Sequence, residues 1–270
     1  FWAQGMLDAY QSGDEAFLVH ALGFMAIGRA VGGTPEGLEE AESWMRVFDL
    51  GVRRLDRRGL GVARHLFDSI TGLVVGDYPK VKRSVARVRA LAERCSEVGD
   101  VCVSMTHAVG LERRWMMGGL RTLFEDARRI QRFAPRGGDN FLDVLTESYL
   151  ALEDLASNAP VDARQRVRAA QDLLDEGYFT PLHYLTLRAM VWCDLYDGES
   201  SAAYWRLEGA WPQIRASGLL GFRAWSTEIQ LTRGLLMLTA ARDGTASSRR
   251  AVSQAEKSFA NIAMDRSPLG

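Results

Sequence analysis

The chain has 270 residues, 47% hydrophobic and 25% charged, with a net charge of −1. Those proportions are typical of a folded soluble protein. The near-zero charge excludes a global field drawing the chain to nucleic acid or an anionic membrane. Three cysteines, Cys95, Cys102 and Cys193, are too few for a disulfide framework and lack metal-site spacing. They fit a reducing cytoplasm, where a lone cysteine behaves as a small buried hydrophobe. The most apolar run, Ala16 to Val31, is broken by His20 and Arg29 and falls short of the roughly 20 apolar residues of a membrane span. The chain opens Phe1-Trp2-Ala3 without a basic leader, so no signal peptide is expected. Lacking an initial methionine, it reads as a segment of a longer protein.

Taken in order, the chain is punctuated by two interleaved series of turn signals. One runs Gly32-Gly33, Gly76-Asp77, Gly118-Gly119, Asn158-Ala159-Pro160, Gly198 and Gly244, at spacings of 44, 42, 40, 40 and 46. The other runs Gly13, Gly59, Gly99, Gly137-Gly138, Gly177 and Gly218, at spacings of 46, 40, 38, 40 and 41. Glycine past a helix end supplies the left-handed residue that stops it, and Asp or Thr just after can cap the next helix. The segments between are helical in pattern, and no segment alternates convincingly as a strand. Pro35, Pro79, Pro160 and Pro181 fall at expected helix starts, where proline is tolerated. Pro212 falls inside one and is expected to kink or end it.

The clearest unit is Leu182 to Arg215, two helices joined at Asp197-Gly198. The first carries one stripe of Leu182, Leu185, Ala189, Trp192 and Tyr196, and another of Tyr184, Leu187, Val191 and Leu195. A helix apolar on two sides must be covered from two directions. The second carries Tyr204, Leu207, Trp211 and Ile214, and Trp205 falls off that stripe; packing on the next helix pair is the plain reading and contact with a partner in a groove the alternative. A helix-pair period near 40 is the signature of an α-solenoid. The expected fold is therefore all-α: about thirteen helices in antiparallel pairs forming a tetratricopeptide-like superhelix, one domain over residues 1–264 with a loose tail over residues 265–270. Partner protein or peptide is expected in its concave groove.

Residues 1–50 hold eight acidic side chains against two basic, a net of −6, and residues 51–94 hold eleven basic against four acidic, a net of +7. The acidic helix from Glu36 to Asp49 and the basic one from Lys80 to Arg94 are two helices apart, positions that lie side by side in a solenoid. Mutual neutralisation is the plain reading. The alternative is a basic patch of Arg83, Arg87 and Arg94 for an acidic or phosphorylated partner.

None of the three lysines follows a glycine, so there is no P-loop. Gly59-Leu60-Gly61 lacks the third glycine of a dinucleotide loop. His-Arg-Asp, Asp-Phe-Gly, Gly-x-Ser-x-Gly and His-Glu-x-x-His are all missing from the sequence. The segment is not expected to be an enzyme or to hold a metal or cofactor. His20, His65 and His107 precede Gly32, Gly76 and Gly118 by 12, 11 and 11 residues, and His183 precedes Gly198 by 15. Successive equivalent helices lie too far apart for these rings to share a metal. Individually hydrogen-bonded, half-buried histidines are expected, with His183 a candidate contact.

Leu182-His183-Tyr184, Cys193-Asp194-Leu195-Tyr196-Asp197-Gly198, Ala202-Ala203-Tyr204-Trp205-Arg206, Trp211-Pro212 and Ser217-Gly218-Leu219-Leu220 together resemble a recurrent block. It occurs in the C-terminal helical region of large bacterial eukaryotic-like serine/threonine protein kinases. Ala90 to Cys95 and the opening Phe1-Trp2-Ala3-Gln4 resemble earlier repeats of that region. The resemblance implies a regulatory, non-catalytic array that contacts its own kinase and AAA-type ATPase modules in signal transduction, with ATP bound elsewhere in the parent. Related arrays follow ATPase modules in bacterial transcription regulators, which implies the alternative of a small-ligand sensor.

Overall fold

A computed structural model describes residues 10–31, 34–55, 58–93, 100–133, 140–175, 177–246 and 248–264. The described residues are all-α, with no strand among them. The described part of α1 is residues 10–12. It is followed by α2 (Glu15–Ala30), α3 (Pro35–Leu55), α4 (Arg58–Val75), α5 (Tyr78–Ala92), α6 (Asp100–Met116) and α7 (Leu120–Phe133). Then come α8 (Asn140–Ala156), α9 (Pro160–Asp172), α10 (Pro181–Tyr196), α11 (Ser200–Ala216), a 3-10 turn (Leu219–Gly221), α12 (Arg223–Arg242) and α13 (Ser248–Met264). The helices fall into two compact units, residues 1–113 and 114–270. The expected tail over residues 265–270 lies outside the described residues.

Helix ends follow the first series of turn signals. Gly76, Gly118, Asn158, Gly198 and Gly244 all have positive φ, from 60° at Asn158 to 81° at Gly76. Each closes its helix with the same two hydrogen bonds. After α10, the Gly198 N–H donates to the Leu195 carbonyl at 3.2 Å and the Glu199 N–H to the Asp194 carbonyl at 2.8 Å. Asp77 to Gly72, Gly119 to Arg114, Ala159 to Asp154 and Thr245 to Ala240 repeat the longer bond, which satisfies carbonyls that the helix itself leaves open. Asp77 then caps α5, its carboxylate accepting from the Lys80 N–H at 2.9 Å. In the second series Gly13 and Gly218 also have positive φ, 73° and 78°, Gly59 is the second residue of α4 and Gly177 lies in the α9–α10 connection. Gly32-Gly33, Gly99 and Gly137-Gly138 lie outside the described residues.

In the first unit, α2 and α3 form one helical hairpin and α4 and α5 another, with α2 laid on α4. The centre is aromatic: the Phe67 ring meets Phe24 at 5.0 Å and Phe48 at 5.5 Å, both edge-on. Gly23 lies beneath Phe67, where a Cβ would stand 2.3 Å from the ring. The acidic and basic helices find their counter-ions on α2 and α4. Glu40 of α3 pairs with Arg29 at 3.1 Å, Asp49 of α3 with Arg64 at 2.5 Å, and Lys80 of α5 with Asp68 at 3.3 Å.

In the second unit, α8 and α9, α10 and α11, and α12 and α13 are the packed pairs, with α8 laid on α10. This solenoid-like stacking explains why α10 is apolar on two sides. Tyr184, Leu185, Ala189, Val191 and Cys193 are all buried. Two members of its stripe depart from expectation: Trp192 is 38% exposed and Tyr196 45%. The Tyr196 hydroxyl donates to the Asn158 side-chain oxygen, so it ties two turns together at the surface rather than filling the core. Pro212 does not end α11, which continues through Ala216. Its exposed ring brings no N–H to the helix ladder, but Leu207 and Ile214 on either side stay buried in the core and hold the helix together.

Charge is also used inside this unit. Arg188 of α10 is among the largest fully buried side chains. Its guanidinium lies 4.2 Å from the Trp115 ring centroid and 5.1 Å from that of Tyr149, and donates to both Glu228 carboxylate oxygens at 3.1 Å. Aromatic faces and a carboxylate counter-ion, here taken through the single nitrogen Nη1, are what a desolvated guanidinium requires. This set links α6, α8, α10 and α12. Asp194, with 3% of its side chain exposed, accepts from Arg164 of α9 at 3.1 Å and from Arg206 of α11 at 2.8 Å.

Candidate functional site

In the second unit, α11, α12 and α13 enclose a cleft of ≈ 450 Å³, lined by Glu208, Trp211, Pro212, Arg215, Arg233, Arg250, Gln254 and Lys257. Helical spacing builds it. On α11, Glu208, Pro212 and Arg215 are steps of 4 and 3 apart, and on α13, Arg250, Gln254 and Lys257 repeat those steps. The adjoining stripe of α13, Ala251, Ala255 and Ser258, is buried. These small residues bring α13 close to α12, where Gly234 admits the Phe259 ring 2.7 Å from where a Cβ would be.

The floor is pre-set. Arg233 of α12 donates to the two Glu208 oxygens at 2.8 and 3.2 Å, and its guanidinium lies 3.7 Å from the Trp211 ring centroid. This bidentate, stacked arrangement fixes both the charge and the indole. Arg215, Arg250 and Lys257 are exposed, and among the described residues no ion pair neutralises them. The cleft therefore gathers four cations against one carboxylate. Beside the cleft, burial raises the pKa of the Tyr204 hydroxyl, and Glu208 adds to the rise against Arg250 and Arg233.

Trp205 stands three residues before Glu208 on the same side of α11. It is 60% exposed and touches Tyr204 edge-on at 4.8 Å. The expectation that it leaves its helix's buried stripe is met. His183 has a different setting. It lines a second cavity of ≈ 440 Å³ with Phe141, Val144, Leu174 and Tyr178 around the α9–α10 connection. Its Nδ1 accepts from the Thr180 N–H at 3.2 Å, leaving Nε2 to donate to the Asp175 carbonyl at 3.0 Å. Both ring nitrogens are used to cap α10 and pin the connection, so His183 is a positioning residue there and does not meet Trp205 in one site.

Arg83 and Arg87 lie one turn apart on the exposed side of α5, where no described acidic side chain pairs with them. Arg94 lies outside the described residues. The four histidines are all half-buried. The His20 Nδ1–H donates to the Ala16 carbonyl at 2.9 Å, and burial, ahead of nearby charges, lowers the pKa of His65. Among the described residues, no group of three or more His, Cys, Asp or Glu is placed to hold a metal ion. No helix among them is long and apolar enough to cross a membrane.

The sequence reading missed Arg215, Arg233, Arg250 and Lys257. The signal was present as the shared 4-and-3 spacing on α11 and α13, but joining those stripes needs the pairing of three helices. A scan against protein-family models, a search of curated proteins and a search of solved structures each find no match. The fold and cleft define the class: a helix-pair array with a preformed cationic cleft.

Proposed function

We propose that this chain is a non-catalytic binding segment that takes an anionic stretch of a partner protein into the α11–α13 cleft. The observation that supports it is the cleft itself: Arg215, Arg250 and Lys257 converge from two helices without carboxylate partners among the described residues, over a floor fixed by Glu208, Arg233 and Trp211. Two arginines and a lysine lining one opening raise the local concentration of an anionic ligand. The sequence resemblance to kinase-associated repeats favours placing this segment in a cytoplasmic serine/threonine kinase of signal transduction, as a regulatory array.

The test is equilibrium binding of a labelled acidic peptide to the pure 270-residue chain, beside assays of ATP hydrolysis and protein phosphorylation. Saturable binding that weakens as salt rises, without turnover, is expected. Turnover lost on mutation of a cavity residue, or no binding at low salt, would overturn the reading.

A further inference from the structure

Three features compete for a specific role: the exposed arginines of α5, the cavity beside His183 and the cationic cleft. The arginines of α5 line neither of the two cavities described above. The His183 cavity is lined mainly by apolar groups, and its imidazole has both nitrogens engaged. The cleft has shape, charge and an adjacent exposed indole.

We infer that the cleft is a site for a phosphorylated serine or threonine side chain within an extended peptide, with Trp205 holding an apolar side chain of the same peptide. This rests on the reading of the cleft as an anion site and names its ligand. A carboxylate carries one charge and two acceptor oxygens, which one guanidinium engages in Glu208 and two share in Asp194. A phosphorylated side chain carries about −1.5 to −2 charges at neutral pH and three acceptor oxygens. Arg215, Arg250 and Lys257 supply three cationic donors around one opening. Arg250 and Lys257 approach from α13 and Arg215 from the last turn of α11, so the donors surround the anion from two sides.

Trp205 argues for a peptide rather than a small phosphate ester. Ten residues of α11 separate it from Arg215, about 15 Å at the helical rise. An extended peptide covers that distance in about five residues at roughly 3.3 Å each. A free phosphate monoester bound at Arg215 would not reach the indole.

The experiment titrates the full chain with labelled six-residue peptides, leucine at one end and phosphoserine, glutamate or serine at the other. Free phosphoserine is the competitor. The phosphopeptide is expected to bind about tenfold or more tighter than the glutamate peptide, as the added charge and acceptors require. The R250A/K257A pair should remove that preference, and W205A should weaken the phosphopeptide about fivefold while leaving free phosphoserine unchanged, as loss of an aromatic anchor does. All three positions are exposed, so the fold should survive, and unchanged helical circular dichroism checks it.

The control is R83A/R87A, which removes the same charge from α5. An equal loss there would show diffuse attraction and overturn the site. Equal binding of the glutamate and phosphoserine peptides would overturn the phosphate assignment and leave the anion-binding reading standing. Free phosphoserine binding as tightly as the phosphopeptide would overturn the role of Trp205. Failure of every anionic peptide would overturn both readings.

Discussion

Asp194→Asn probes how the second unit is held together. The Asp194 side chain is 3% exposed, and each oxygen accepts from an arginine on a different helix, Arg164 of α9 and Arg206 of α11. Asparagine keeps the shape but removes the charge. Whichever way its amide turns, one arginine meets an NH2 group, donor against donor. Breaking a buried pair costs about 3–5 kcal/mol. The guanidiniums are 33% and 35% exposed and regain water, and Arg164 keeps Asp197 at 2.6 Å. The net cost should therefore be about 2–3 kcal/mol. At about 2–4 °C per kcal/mol for a unit of this size, the melting temperature should fall by roughly 4–12 °C. Calorimetry on wild type and variant measures it. The loss should persist in 1 M salt, because a buried carboxylate is poorly screened. A shift under about 1 °C, or one abolished by salt, would show that these contacts behave as ordinary surface ion pairs.

Other outcomes follow from packing, backbone and charge. Gly23→Ala should destabilise by about 1–3 kcal/mol, because its Cβ meets the Phe67 ring at 2.3 Å and Phe67 is held by Phe24 and Phe48. Helix propensity alone predicts the opposite sign, so denaturant titration decides between them. Gly198→Ala meets nothing within 4 Å, so its cost is that of φ +79° alone, about 1–2 kcal/mol by the same titration, with Gly198→Asn costing less. His65 has a lowered pKa in the folded chain, chiefly from burial. The unfolded chain binds the proton first, so His65 contributes stability above about pH 6.5 that is lost as pH falls through the folded pKa. His65→Gln should flatten the denaturant midpoint over that range.

Apolar periodicity and turn chemistry make most of the fold legible in the sequence. Local groups write those signals: Gly76, Gly118, Asn158, Gly198 and Gly244 each end a helix by their own backbone preference, and the stripes of α10 and α11 show which sides are covered. Trp192 and Tyr196 were misread because a stripe states which face is apolar, not how far along the helix its neighbour extends. Their exposure of 38% and 45% comes at the end of α10. Arg188 was illegible for the opposite reason. Its type suggests solvent, and only Trp115, Tyr149 and Glu228, brought from three other helices, make burial tolerable. The cleft was hidden in the same way. Trp205 announced itself by leaving its stripe, but Arg215, Arg250 and Lys257 share a cleft only because α11 and α13 both pack on α12.

The claim that this array works by binding an anionic segment in that cleft is tested most directly by hydrogen–deuterium exchange of the chain with and without saturating phosphopeptide. Added protection is expected over residues 205–216 of α11 and 250–258 of α13, with α5 unchanged. Protection centred on α5 or on the α9–α10 connection, or none at saturation, would contradict it.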